Sequence, residues 1–198
     1  MHRLYYSPGA CSMAVHIVLE EIGEPYELTL MTPDERRGEE HATRHPLGRV
    51  PVVEDDEGFV FESLAILLHI ADLHPESGLI PPVGTHERAL VYQWSVFAMT
   101  EIELDLVETL VARRAEDKER IETATESFRD TAAVVEDALD DGDYLVGGRF
   151  TLADLVTGAV LLSARRHELV DGFPRIADYL ARIEPRPARE RALAVGTT

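Results

Sequence analysis

Cys11 and Ser12 stand side by side between the segment Leu4-Tyr5-Tyr6-Ser7-Pro8-Gly9-Ala10 and the amphipathic run Met13 to Ile22. This order predicts a short strand, a Pro-Gly turn and a helix that opens on a thiol and a hydroxyl. The first backbone N–H groups of a helix lack internal partners, and the helix dipole favours negative charge at that end. A thiolate, of Cys11 or of a bound thiol ligand, is stabilised in such a place. The segment is therefore a candidate for thiol chemistry. Cys11 is the only cysteine, and Ala14 stands three residues after it. An intrachain disulfide and a Cys-x-x-Cys pair are both excluded, so a redox role would run through a mixed disulfide with a small thiol. A reducing cytoplasm is the expected setting.

Several elements must hold this segment. Arg3 to Tyr6 reads as strand one and Ser12 to Ile22 as helix one, stopped by Gly23. Tyr26 to Leu30 reads as strand two, and the polar stretch Arg36 to Arg44 as a short exposed helix. Val50 to Glu54 reads as strand three, Asp56-Glu57-Gly58 as a hairpin turn, Phe59 to Phe61 as strand four, and Leu64 to Leu73 as a helix opened by Glu62-Ser63. The order β-α-β-α-β-β-α fits a thioredoxin-like α/β domain over residues 1–75. Prolines and glycines over 74–85 read as a linker. From 86 to 198 the pattern is helical throughout, which predicts a second, all-α domain. Its parts are Glu87 to Arg113, Ile121 to Leu139, a helix from Leu152, and helices over Phe173 to Ile183 and Pro187 to Val195. Thr151 and Asp154 form a capping-box variant at the start of the third.

The formal net charge is −18, and Lys118 is the only lysine. Such a field opposes nucleic acid and anionic membranes as partners. No apolar run approaches the ~18 residues of a membrane span, and Met1 to Arg3 has none of the marks of a signal peptide. The histidines His2, His16, His45, His69, His74, His86 and His167 show no metal-ligand spacing, so no metal is expected, and His16 within helix one reads as structural.

Taken together, Tyr5 to Ser12, Pro46-Leu47-Gly48-Arg49-Val50-Pro51, Phe61-Glu62-Ser63-Leu64-Ala65-Ile66, Gly148-Arg149-Phe150-Thr151-Leu152-Ala153-Asp154 and Tyr179-Leu180-Ala181-Arg182 with Arg186-Pro187 carry a resemblance. The chain resembles a cytosolic-type glutathione S-transferase, most of all the bacterial beta class, over nearly its whole length. The resemblance implies the GST fold, with glutathione as co-substrate, a small electrophile as second substrate, a role in detoxification and a two-fold homodimer. The thiolate of glutathione would be transferred to an electrophilic carbon. The alternatives are a glutathione-dependent thiol-disulfide oxidoreductase working through Cys11, and a GST-like binding or regulatory protein without catalysis.

The resemblance also assigns residues. It implies a cis Val50-Pro51 bond that leaves the Val50 N–H and C=O for the cysteinyl backbone of glutathione. Ser63 at a helix start can bond a carboxylate together with backbone N–H groups, and Glu62 can accept from the γ-glutamyl ammonium. The bland reading of that pair is helix capping. Cys11, Ser12 and Tyr6 are three candidates for the group against the ligand sulfur, with Cys11 slightly ahead. The bland readings are a buried small hydrophobe for Cys11, an N-cap for Ser12 and a core aromatic for Tyr6. Arg36, Arg37, Arg49 and His41 compete for the glycine carboxylate. Ala10, Met99, Glu103 and Leu106 are the expected lining of an electrophile pocket between the domains. Beta-class relatives commonly carry a His in the first long helix near the thiol, and ungapped alignment from Trp94 puts Glu103 there. A carboxylate facing a thiolate raises the thiol pKa.

Overall fold

The computed structural model describes residues 1–140 and 142–195. They fall into two compact units. One is Met1–Ile80 joined by the chain from Pro185, and the other is Pro81–Glu184.

The first unit holds strands β1 (His2–Tyr6), β2 (Tyr26–Leu30), β3 (Val52–Asp55) and β4 (Gly58–Phe61), with helices α1 (Ser12–Ile22), α2 (Pro33–Arg37), α3 (Glu39–Ala42) and α4 (Ser63–Leu73). The strand order is β2-β1-β3-β4. Strand β1 runs parallel to β2 and antiparallel to β3, which forms a hairpin with β4. A parallel pair needs a crossover, and α1 supplies it. This is the expected thioredoxin-like arrangement. Leu4 lies opposite Val53, both without exposed surface, while Tyr5 lies opposite Val52 and packs with Met31 and Val50. Successive side chains point to opposite faces, so β1 is buried on both.

Three boundaries differ from the sequence expectation. The polar stretch splits at Gly38 into α2 and α3, and it starts early because Thr32 and Glu35 form a capping box ahead of Pro33. Strand β3 begins at Val52, since the cis Val50–Pro51 peptide leads into it. The last helix, α10 (Pro187–Val195), packs on α1 in the first unit rather than with the helical domain. Arg186 donates to both carboxylate oxygens of Glu21 at 2.7 and 2.9 Å, and Arg191 pairs with Glu20.

The second unit is helical: α5 (His86–Phe97), α6 (Glu103–Arg114), α7 (Lys118–Ala138), α8 (Leu152–Arg165) and α9 (Pro174–Ile183). The single long helix expected from Glu87 to Arg113 is interrupted by a π-helical stretch, Ala98–Ile102. Helix α8 is buried along most of its length. Its capping box is formed, with the Thr151 N–H and hydroxyl donating to Asp154 at 2.8 and 3.0 Å. The same carboxylate accepts from Leu145 N at 2.8 Å and from the Tyr179 hydroxyl at 3.3 Å. Burial raises the Asp154 pKa, and the four donors work against that rise. Asp154→Ala would remove the acceptor of the buried Thr151 N–H and of the half-buried Leu145 N–H. It is expected to lower stability by about 2–4 kcal/mol, read as a shift of the urea midpoint.

Below the sheet, His16 is fully buried and its Nε2 lies 2.8 Å from the Tyr26 hydroxyl, which in turn donates to Glu20. The phenol oxygen therefore accepts from Nε2–H, and the buried Nδ1, which has no partner, is a bare lone pair. Burial lowers the His16 pKa from the usual 6.5. A lowered folded-state value means that the unfolded chain binds more protons below that pH. This contribution is thus complete above about 6.5 and is lost as pH falls through the folded value. Urea midpoints should drop from pH 7.5 to pH 5.5, and His16→Gln, which keeps an N–H for Tyr26, should flatten that slope.

Candidate active site

The segment after β1 turns at Gly9, whose φ of 74° lies in the left-handed region that glycine adopts freely. Ala10 N bonds Ser7 O at 3.3 Å, and Ser7 Oγ donates to Met31 O at 2.7 Å. The loop is thereby fixed to the end of β2. Ser12 closes it from the other side. Its hydroxyl donates to Ser7 O at 3.0 Å and accepts from Ser7 N at 3.2 Å, with no exposed surface. Both hydrogen-bonding roles of Ser12 are taken up within the loop.

Cys11 is the N-cap of α1 and is exposed. Its thiol donates to Val50 O at 3.5 Å. The fold thus brings together the thiol and the peptide before cis Pro51, residues that are far apart in sequence. Ala10 packs on the cluster of Tyr5, Met31, Val50 and Val52. Tyr6 is buried on the opposite face of β1, with its ring centroid 6.1 Å from that of His16. Its position is that of a core aromatic.

Glu62 precedes α4 with φ 73° and ψ 116°, a backbone conformation that non-glycine residues rarely adopt. Such a residue typically costs about 1–3 kcal/mol and is held by its surroundings. Its side chain is exposed, and Ser63 behind it is buried at the first turn. The hairpin and α4 therefore bring a carboxylate and a helix N-terminus to one place.

The four cation candidates separate by their surroundings. Arg37 is paired with Asp34 at 3.0 Å. His41 is buried and bonds Arg49 O at 2.8 Å. Arg49 is exposed. Arg36 is half-buried with its Nε buried and without a partner, and no ion pair involves it among the described residues. Sequence reasoning passed over His45. It is buried, its Nδ1 accepts from Leu47 N at 3.0 Å, and its ring lies tilted against that of Phe61, with centroids 4.8 Å apart, next in the chain to Glu62. Burial lowers its pKa, the Glu62 charge opposing. No local pattern marks this placement, since it depends on the turn that carries the ring back to β4.

In the helical unit, Met99 lies in the π-helical stretch and Glu103 is the first residue of α6, both half-buried, while Leu106 is buried. Desolvation raises the Glu103 pKa.

A thioredoxin-like unit with a thiol at its first helix, a cis Val-Pro before β3 and a carboxylate at the start of α4, followed by a helical unit, defines a class of two-unit thioredoxin-like proteins. Residues 2–72 match the family profile "Glutathione S-transferase, N-terminal domain" and residues 97–187 match "Glutathione S-transferase, C-terminal domain". The chain is 32% identical to "Glutathione S-transferase GstA" of Escherichia coli O157:H7, over 97% of both chains. Its structure resembles a glutathione transferase from Methylococcus capsulatus, with a TM-score of 0.87 at 33% identity, covering 100% and 99% of the two chains. It also resembles a sphingomonad glutathione S-transferase complexed with glutathione, with a TM-score of 0.87 at 32% identity over 98% of each. The chain belongs to the glutathione S-transferase family.

The geometry separates two roles that the sequence left joined. Ser12→Ala would take the acceptor from the half-buried Ser7 N–H and the donor from Ser7 O, and should cost about 1 kcal/mol of stability. Cys11→Ala should change the thermal midpoint much less, because the Cys11 side chain is exposed. Thermal unfolding of both variants checks this.

Proposed function

We propose that this chain binds glutathione on its first unit and transfers the glutathione thiolate to small electrophilic carbon centres. The observation that carries the reading is the Cys11 thiol 3.5 Å from the Val50 carbonyl, beside cis Pro51. That edge offers a peptide N–H and C=O to the ligand backbone, with a thiol donor next to them. In this reading Val50 and Pro51 pair with the cysteinyl residue, and Ser63 and the α4 N-terminus take the γ-glutamyl carboxylate. Glu62 takes the ammonium, and Arg36 takes the glycine carboxylate. Arg36 is favoured because Arg37 and His41 already have partners.

In the reaction, the ligand thiol loses its proton to solvent and its sulfur forms a bond to carbon as the bond to the leaving group breaks. The products are the thioether, a proton and, for a halide substrate, the halide ion. On binding, the Cys11 S–H turns from Val50 O, which it meets in the free protein, to the ligand sulfur, where its hydrogen bond is worth more to the thiolate than to the thiol and so favours the reactive form. Ser12 and Tyr6 act behind it, as loop closure and core.

A second reading rests on the exposure of Cys11 at a helix start. Its thiolate would attack the glutathionyl sulfur of a mixed disulfide, forming Cys11–S–S–glutathione and releasing the substrate thiolate. A second glutathione thiolate would then release Cys11 and leave as glutathione disulfide. A two-fold homodimer in the cytoplasm belongs to the same proposal. Exposed Tyr92 and Val96 on α5 and Leu104, Val107 and Val111 on α6 support the dimer. No helix among the described residues is long and apolar enough to cross a membrane.

The test is turnover of a halogenated nitroarene with glutathione. Cys11→Ala should lower kcat/KM about tenfold, the worth of one hydrogen bond to a charged sulfur. Glu62→Gln should raise KM for glutathione about tenfold with kcat little changed. Retention on immobilised glutathione without turnover of any electrophile would move the chain to a binding role. Loss of mixed-disulfide reduction in Cys11→Ala with nitroarene turnover intact would move Cys11 to the redox reading.

A further inference from the structure

His2, Asp55 and His69 come from three elements, β1, β3 and α4, and meet at one end of the first unit. One potential ligand atom from each lies within 4.8 Å of the other two. His69 Nε2 is 3.2 Å from Asp55 Oδ2. Two ligand atoms at zinc distances of about 2.0–2.1 Å and a tetrahedral angle are separated by roughly 3.3 Å. That pair therefore stands at bridging distance already. The His2 ring lies edge-on to the His69 ring, with centroids 6.5 Å apart, so a side-chain rotation at the strand end closes the set.

The carboxylate is built for the task. Asp55 Oδ1 accepts from Glu57 N at 2.9 Å and Gly58 N at 3.1 Å, the two N–H groups of the hairpin turn. Those bonds fix the rotamer and leave Oδ2 directed at His69. Partners of this kind hold ligands in metal sites. All three side chains are half-buried, so an ion can enter while part of its hydration is replaced. The net charge of −18 draws cations to the surface.

We propose that His2, Asp55 and His69 form a binding site for a borderline divalent transition ion of the Zn²⁺ type. Two imidazoles and one carboxylate match that ion and disfavour Mg²⁺ and Ca²⁺, which take oxygen ligands. The ion takes the lone pair of His69 Nε2 in the neutral tautomer whose single ring proton sits on Nδ1. The site lies at the His2 end of β1, whereas Cys11 follows the Tyr6 end, so it serves as a clip joining β1, the β3–β4 hairpin and α4. It is independent of the glutathione reading.

The experiment is calorimetric titration of Zn²⁺ alone into tag-free Cys11→Ala protein, which removes the one competing thiol. The expected result is one equivalent bound at micromolar affinity or tighter, with a higher thermal midpoint. Asp55→Asn, which keeps an acceptor for the hairpin N–H groups, and His69→Phe should each weaken binding at least about tenfold. Circular dichroism confirms that both variants are folded, and if His69→Phe is not, Asp55→Asn alone decides. Absence of binding at micromolar Zn²⁺ overturns the proposal. So does weak multi-site uptake that Asp55→Asn leaves unchanged.

Discussion

The two-sided burial of β1 is the constraint on which the first unit rests. Leu4 and Tyr6 point to one face, where α1 lies, and Tyr5 to the other, where it meets Met31, Val50 and Val52. A strand covered on both faces has a strongly fixed register, because a slip by one residue would exchange its two faces. Two chemically important residues hang from its ends. The Cys11 loop leaves its C-terminal end, and His2 begins it. The position of the thiol is thus set by core packing, and the hydroxyl of Ser12 only closes the turn.

Much of this was legible in the sequence, and for local reasons. The Pro8-Gly9 turn, the Gly23 stop and the Thr151–Asp154 capping box are short-range signals whose partners sit within a few residues. The first two mark where α1 begins and ends, and the third marks the start of α8. The juxtaposition of Cys11 with Val50 is different. Nothing in the spacing of those residues reveals it, and it was reached through resemblance. The consumption of Ser12 by Ser7 was hidden too, since a serine at a helix start has the same pattern whether its hydroxyl faces a ligand or folds back. His2, Asp55 and His69 were unreadable because the fold alone gathers three elements.

The π-helical stretch Ala98–Ile102 shows a subtler limit. A wider turn rotates every later side chain around the axis relative to a regular helix. Counting from Trp94 to position 103 passes through this stretch, so equal spacing in two sequences need not give equal direction. Glu103 as the counterpart of a histidine rests on such counting. Its raised pKa reports burial, and it speaks for the environment of residue 103 rather than for kinship with another side chain.

The return of α10 to α1 has a consequence for the birth of the molecule. Residues Met1–Ile80 leave the ribosome before the helical unit, yet Arg186, the partner of Glu21, and the helix after it, which covers part of α1 and carries the partner of Glu20, are made more than a hundred residues later. The helical unit, continuous from Pro81 to Glu184, has all its chain before the earlier unit does. Order of synthesis and order of completion are therefore reversed. The segment that carries the thiol waits, with one flank of its first helix uncovered, until the chain has passed through an entire second unit.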